Sequence, residues 1–196
     1  MLELYELLQK TGALLEGHFV LSSGLHSDAY IQCARLLQHP QLAQAMCERL
    51  AARLREIAAD VDVVIGPALG GVLVAHEVAR ALKVRALYAE REHEALTLRR
   101  GFALRPGERV FIVEDVVTTG LSARETAAVV KDHGGTVAGY GALICRGEAH
   151  GLSPFVALWQ PRPQLYAAAT CPMCASDVPL YRPGSRPQSP TSLEER

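Results

Sequence analysis

One segment of the chain, residues 110–122, has the sequence Val110-Phe111-Ile112-Val113-Glu114-Asp115-Val116-Val117-Thr118-Thr119-Gly120-Leu121-Ser122. It opens with a short apolar run, which predicts a buried strand. Two adjacent carboxylates, Glu114 and Asp115, end that run, and a loop of small hydroxyl residues with one glycine follows. This order predicts a buried strand that ends in a cluster of polar groups.

A helix is expected directly after the loop. Ser122 has Glu125 three residues later, which is the capping-box spacing at a helix N-terminus. Gly134 and Gly135 form a good C-terminal stop. The pattern therefore predicts a helix that begins at Ser122 and ends at the glycine pair.

The loop and the helix N-terminus together are a candidate anion site. Loop N–H groups and the helix dipole favour a phosphate, and Thr118, Thr119 and Ser122 each offer a hydroxyl donor. The two carboxylates suit such a site if the ligand also carries hydroxyls or brings a divalent cation. A ribose 5-phosphate has both a phosphate and a diol. The alternative is an ordinary buried strand that enters a helix.

The composition is that of a soluble globular protein. The chain has 196 residues, 49% of them hydrophobic and 21% charged, which is enough for one α/β domain with its own core. The net charge of −1 gives no basic field, so we expect no nucleic-acid partner. No apolar run is long enough to span a membrane, so no membrane partner is expected.

The compartment is expected to be the cytoplasm. Glu3 and Glu6 stand where a basic leader would be, so there is no sign of a secretory signal. Five scattered cysteines argue against a disulfide framework. Cys171 and Cys174 form a Cys-x-x-Cys pair, half of a zinc site that Cys145 or a second copy of the chain would have to complete. The pattern favours the alternative, a reduced turn without metal.

Strands and helices alternate through the middle of the chain, which predicts an α/β fold with a mostly parallel sheet and helices on both faces. A second glycine-rich turn, residues 66–71, lies between a strand at 61–65 and a helix that runs to about Leu82. Gly70 and Gly71 let backbone N–H groups approach a phosphate, although a tight packing turn explains them nearly as well. Both turns follow strand ends, where ligands bind in open α/β sheets.

The order of strand, acid pair, hydroxyl loop and helix resembles the phosphoribosyl pyrophosphate (PRPP) signature of type I phosphoribosyltransferases. Residues 17–31 also resemble the N-terminal hood of the orotate phosphoribosyltransferases, which covers the pyrimidine. The resemblance implies one structural domain overall, with the N-terminal helix and hood at 1–35, the phosphoribosyltransferase core at 36–165 and a C-terminal segment with a flexible tail at 166–196. It also implies the reaction of orotate with PRPP to give orotidine 5′-monophosphate and pyrophosphate, in pyrimidine biosynthesis.

The resemblance assigns roles to particular residues. Glu114 and Asp115 would hold the ribose hydroxyls, and the loop from Val116 to Ser122 would hold the 5′-phosphate. The Gly70-Gly71 turn would meet the pyrophosphate, together with a Mg²⁺ that is chelated by PRPP rather than by the protein. The orotate-binding residues implied are Thr118, Arg146, Tyr30 and Ile31.

The resemblance also implies a homodimer with shared active sites. Residues 90–101 match a mobile loop that closes over the neighbouring subunit's site, and Arg91 matches its catalytic arginine. The residues alone allow a structural alternative in each case. Residues 90–101 would be a solvated hairpin, Tyr30 would pack in the core, and Arg146 would pair with Glu148 at the surface.

The chain departs from the family pattern at its lysines. Ser22 stands where many orotate phosphoribosyltransferases carry a lysine, and Gly70 stands where some family members do. No lysine lies between Lys83 and Lys131, so the usual catalytic loop lysine is absent. The candidates to supply that charge are Arg99, Arg100 and His93. The missing lysines keep open one alternative, a non-catalytic regulator that binds PRPP. The other alternative is a phosphoribosyltransferase for a purine or another base, against which the hood segment and Arg146 argue.

Overall fold

The computed structural model describes residues 4–21, 23–147, 149 and 151–183. Within these residues the helices are α1 (Leu4–Lys10), α2 (Ala34–Leu37), α3 (Pro40–Ile57), α4 (Gly70–Leu82), α5 (Leu121–Asp132) and α6 (Pro172–Ala175), with a short 3-10 helix at Ala168–Thr170. The strands are β1 (Leu14–Val20), β2 (His26–Ile31), β3 (Val63–Pro67), β4 (Arg85–Glu92), β5 (Ala95–Leu98), β6 (Arg109–Val117), β7 (Thr136–Cys145), β8 (Phe155–Trp159), β9 (Leu165–Tyr166) and β10 (Leu180–Tyr181).

The central sheet has six strands in the order β5-β4-β3-β6-β7-β8. Strands β4, β3, β6, β7 and β8 pair in parallel, and only β5 runs antiparallel, because a tight hairpin joins it to β4. Strand β8 lies at one edge of this sheet and β5 at the other. The prediction of a mostly parallel α/β sheet is confirmed.

The apolar residues of the sheet alternate between two cores, one on each face. Along β6, Phe111 and Val113 pack with the buried sides of α3 and α4. Val110 and Ile112 point to the opposite face and pack with α5. Because successive side chains point to opposite faces, both faces of the sheet are apolar, and helices pack on both. The predicted placement of helices on both faces is confirmed.

The contacts divide the chain into two compact units. The first comprises residues 1–14 and 31–162, and the second comprises 15–30 and 163–196, of which the structure describes the part up to 183. The second unit has a small sheet of its own in the order β10-β1-β2-β9. The division at 35 and 165 inferred from sequence stays a prediction.

Two sequence expectations concern the chain's ends and membranes. The flexible tail expected after Arg182 lies almost wholly outside the described residues. Across the part that is described, no helix has both the length and the apolar character needed to cross a bilayer.

Candidate active site

The strand order reverses between β3 and β6, which are neighbours in the central sheet. Strands β4 and β5 lie on one side of this pair, and β7 and β8 lie on the other. Helix α4 follows β3 and packs on one face, whereas α5 follows β6 and packs on the other. The carboxyl ends of the two strands therefore open a crevice between diverging helices. In open α/β sheets this switch point is where ligands bind.

The two glycine-containing turns meet at this crevice. A β-carbon placed on Gly70 would overlap the carboxylate of Asp115, lying 2.6 Å from its Cγ. A β-carbon on Gly71 would lie 3.0 Å from the carbonyl oxygen of Val113. Only glycine allows the β3–α4 turn to approach the acid pair so closely. The structure thus joins the two turns that the sequence singled out separately.

The end of β7 reaches the same corner. The backbone N–H of Arg146 donates to the carbonyl of Val117 at 2.8 Å. A β-carbon on Gly147 would lie 2.9 Å from the carbonyl oxygen of Thr118. Arg146 itself is half-buried, and its predicted surface pairing with Glu148 involves a residue outside the described part. Three neighbouring parallel strands, β3, β6 and β7, therefore end at this corner.

The capping-box prediction is wrong. Helix α5 begins at Leu121 rather than Ser122, and its N-cap is Gly120, which has a φ of 72° and makes no side-chain cap. Gly120 can adopt this left-handed conformation but has no side chain with which to cap. Glu114 fills part of that role from the preceding strand, since its carboxylate accepts a hydrogen bond from the backbone N–H of Ala123.

The loop between β6 and α5 is open to a ligand. Thr118 and Thr119 are exposed, whereas Gly120 is buried beneath them. Ser122 lies in the first turn of α5. A helix N-terminus with exposed hydroxyls and backbone N–H groups in front of it is suited to a phosphate.

The acid pair is held in an environment that disfavours its charge. Burial, and secondarily the charge of Asp115, raises the pKa of Glu114 from an ordinary 4.5 to about 7. Burial also raises the pKa of Asp115 above its usual range. A ligand that brings hydroxyl donors or a cation would stabilise the charged forms. The raised pKa values are therefore consistent with an acid pair that binds a polar ligand.

Sequence reasoning missed two residues beside the site. The Arg124 guanidinium donates to the carbonyl of Thr119 at 2.8 Å and so braces the loop. Cys33 is buried, and after burial the charge of Asp115 is the next cause that raises the pKa of its thiol. A basic residue in the first turn after the loop was a usable signal for Arg124. No local pattern pointed to Cys33, which is 82 residues earlier in the chain than Asp115 (115 − 33 = 82).

Arg91 lies at the end of β4 in a hairpin whose turn contains His93. Its guanidinium pairs with Glu125 of α5 at 2.6 Å, with side chains 44% and 31% exposed. Pairs this exposed contribute only about 0–1 kcal/mol, so Arg91 can leave Glu125 at small cost. Arg99 and Arg100 pair with Glu92 and Glu90 of the same hairpin.

Tyr30 and Ile31 are neighbours in β2, but they belong to different compact units. Ile31 is buried in the apolar cluster that includes α3 and α4. Tyr30 is half-buried and packs against Phe19, with ring centroids 5.8 Å apart. Their role toward a pyrimidine stays a prediction.

The pKa of Glu114 leads to a pH-dependent stability. Because the folded chain holds this proton up to about pH 7 and the unfolded chain only up to about 4.5, the folded state binds more protons between these values. The free energy of unfolding is therefore expected to fall as the pH rises through this window. Thermal melts without ligand should show this fall, and Glu114→Gln should flatten it. Parallel pH profiles for both proteins would contradict the assignment.

The family profile described as "Phosphoribosyl transferase domain" matches residues 32–155. The matched region contains both turns, the acid pair and the end of β7. The chain belongs to the phosphoribosyltransferase family.

Two similar proteins of near full-length coverage are named orotate phosphoribosyltransferases. The one from Pelotomaculum thermopropionicum is 52% identical over 187 residues, covering 94% of this chain and 97% of the relative. The one from Thermotoga petrophila is 48% identical over 183 residues, covering 92% and 97%.

Solved structures agree with this placement. The orotate phosphoribosyltransferase from Aeropyrum pernix has a TM-score of 0.67 at 31% identity, covering 80% of this chain and 93% of that one. An adenine phosphoribosyltransferase from Thermoanaerobacter pseudethanolicus has a TM-score of 0.58 at 18% identity, covering 68% and 88%. The second likeness concerns the fold alone.

Proposed function

We propose that this chain transfers the phosphoribosyl group of PRPP to orotate, giving orotidine 5′-monophosphate and pyrophosphate in pyrimidine biosynthesis. The observation that carries the proposal is the contact of Gly70 with Asp115. It joins a turn suited to a diphosphate and an acid pair suited to a sugar diol at one corner. The near full-length likeness to orotate phosphoribosyltransferases supports orotate as the acceptor.

The reaction requires positioning and electrostatic stabilisation. As the bond between C1 and the diphosphate breaks, positive charge grows on the ribose and negative charge on the leaving group. Glu114 and Asp115 accept hydrogen bonds from the ribose hydroxyls, and the loop from Thr118 to Ser122 anchors the 5′-phosphate. Fixing the sugar in this way lowers the barrier without a protein nucleophile.

The leaving group is met by the other turn. Backbone N–H groups at Gly70 and Gly71 face the diphosphate in this proposal. When bound to PRPP, Mg²⁺ would offset the diphosphate charge, and the half-buried acid pair with its raised pKa values fits a ligand that carries such a cation. No side chain of this chain is needed as its ligand.

Orotate differs from a purine by its carboxylate, and Arg146 is the group we assign to it. A guanidinium binds a carboxylate in a bidentate manner. The backbone of Arg146 is fixed to Val117 at the corner, which supports a role beside the ribose. Thr118, Tyr30 and Ile31 are proposed to frame the pyrimidine.

We propose that the active protein is a homodimer in which Arg91 serves the neighbouring subunit's site. Leu69 and Leu73, at the start of α4, are 85% and 53% exposed, which supports burial against a second copy. Light scattering of the purified protein gives the mass in solution.

The five cysteines are unpaired in the structure, which fits a cytoplasmic location.

A single assay tests the proposed reaction against both alternatives. Orotate consumption is followed optically with PRPP and Mg²⁺, leaving out one component at a time, and a panel of purine bases is run in parallel. Loss of orotate absorbance that requires both PRPP and Mg²⁺ supports the proposal. Turnover with a purine only, or PRPP binding without pyrophosphate release from any base, contradicts it.

Replacing Arg146 with alanine is expected to raise the KM for orotate by about 10- to 100-fold, as for loss of a charged hydrogen bond worth roughly 1.5–3 kcal/mol. The KM for PRPP should change by less than about threefold. Steady-state kinetics with each substrate varied in turn measures both values.

Arg124→Ala is the matched control, because Arg124 braces the loop proposed for the phosphate through the carbonyl of Thr119. It should weaken PRPP more than orotate. Equal losses for the two substrates in Arg146→Ala would count against the orotate assignment.

A further inference from the structure

A cluster of four side chains in the second unit is not used by the proposed reaction. It consists of His18 on β1, His26 at the start of β2, Cys171 at the N-cap of α6 and Cys174 within α6. One ligand atom from each lies within 4.8 Å of all the others. The Cys-x-x-Cys pair that the sequence left incomplete thus meets two histidines, and not Cys145, whose thiol donates to the carbonyl of Gly147.

Three nitrogen-to-sulfur distances within the cluster are close to those of a tetrahedral metal site. A zinc with two nitrogen and two sulfur ligands places the nitrogens roughly 3.3 Å apart and each nitrogen roughly 3.5 Å from each sulfur. Cys171 Sγ lies 3.4 Å from His18 Nε2, and Cys174 Sγ lies 3.7 Å from the same atom and 3.3 Å from His26 Nδ1. The two nitrogens are closer, at 2.8 Å.

The histidine that bridges the cluster is held in the form that a metal needs. His18 Nδ1 lies 2.9 Å from the carbonyl oxygen of Val178. Because a carbonyl oxygen only accepts, Nδ1 carries the proton, and Nε2 presents its lone pair to the cluster. Metal-binding histidines are oriented in the same way, by donating their other N–H to a carbonyl or carboxylate.

Burial of the cluster is unusual for polar groups. His18 is 1% exposed, His26 is 5% exposed and Cys171 is 3% exposed. Cys174 alone is exposed, so an ion has a route of entry. Two histidines and a cysteine enclosed in this way make a polar centre where a small sheet would normally place apolar side chains.

The second unit has little apolar core to hold it together. Among the described residues, neither of the two large apolar clusters contains a member of 15–30 or 163–183. Strands β9 and β10 have two residues each, and they pair with β2 and β1, respectively. Small units of this kind usually need a metal or a disulfide for stability.

We propose that His18, His26, Cys171 and Cys174 bind a structural zinc ion that fastens the C-terminal segment to the β1–β2 hairpin. Four protein ligands complete the tetrahedron and leave no position for water or substrate, so the ion is structural rather than catalytic. Residues 153 positions apart, His18 and Cys171, then share one ion. The ion would do for this unit what an apolar core does for the first.

The experiment measures metal in the full-length protein, expressed with zinc and purified without chelator. Elemental analysis should find about one zinc per chain. Replacing zinc with cobalt should give the visible bands of tetrahedral cobalt and a thiolate-to-cobalt band in the near ultraviolet. Chelation should lower the melting temperature.

Cys174→Ser and His26→Gln are the test variants, and each should lose the zinc and the cobalt bands. Cys47→Ala is the matched control, because Cys47 is buried in the first unit and should leave both unchanged. The cobalt titration of the unmodified protein does not depend on a variant folding. Absence of zinc and of a tetrahedral cobalt spectrum there would overturn the proposal, as would zinc that persists in both test variants. Orotate turnover does not enter the readout, so this inference stands or falls apart from the proposed reaction.

Discussion

Replacing Asp115 with asparagine is expected to lower kcat/KM for PRPP by about 10- to 100-fold, with the fold intact. The substitution removes the charge that we propose accepts a hydrogen bond from a ribose hydroxyl and stabilises the growing positive charge on the sugar. Charged hydrogen bonds of this kind contribute roughly 1.5–3 kcal/mol each, and every 1.4 kcal/mol is a factor of about ten in rate. Steady-state kinetics at saturating orotate measures the loss.

The stability of this variant is expected to be equal to or above that of the parent. Burial raises the pKa of Asp115, which means that its charge destabilises the folded chain. A neutral amide of the same shape relieves that cost. Thermal melts at pH 7 therefore separate loss of chemistry from loss of folding.

Asp132→Asn is the matched control, because Asp132 is an exposed carboxylate at the far end of α5. It should leave kcat/KM within about twofold of the parent, as exposed substitutions away from a site usually do. Near-normal turnover by Asp115→Asn would refute the role given to the acid pair.

Replacing Gly70 with alanine is expected to cost about 100-fold in kcat/KM, although one methyl group is all that is added. The new β-carbon would overlap the Asp115 carboxylate, so either the turn or the acid must move. Misplacement of reacting groups by about 1 Å costs on the order of 10²-fold. The melting temperature should change little, since Gly70 begins α4 and alanine favours a helix.

Gly107→Ala is the control for this variant. Gly107 has a φ of 82° and no atom within 4 Å of a β-carbon, so alanine there strains the backbone without touching the site. Its melting temperature should fall while its kcat/KM stays near that of the parent. An active Gly70→Ala would show that the two turns do not work as one site.

Much of the fold was predictable from local patterns. The apolar run before Glu114 predicted strand β6, and the glycine pair after α5 predicted the end of that helix. Burial and chain reversal both leave strong local signals in a sequence. The capping box failed for a local reason too. Gly120 adopts a left-handed conformation, so the helix starts one residue before Ser122, and Glu125 turns to Arg91 instead.

Contacts between distant segments were not predictable. Nothing in the sequence near Cys171 indicates that His18 and His26 lie beside it. The two histidines are on β1 and β2, far from Cys171 along the chain, and they come close to it only in the folded structure. The approach of Gly70 to Asp115 is likewise a property of the sheet order, which places β3 next to β6. Each turn was recognisable from its own residues, and only the family resemblance implied that both turns meet one PRPP molecule.

The most direct measurement of the central claim is a crystal structure of the protein with PRPP and Mg²⁺ bound. We predict that the 5′-phosphate lies in the loop between Thr118 and Ser122, with the ribose hydroxyls on Glu114 and Asp115 and the diphosphate beside Gly70. Density for the 5′-phosphate at any other place, with this loop empty, would contradict the account.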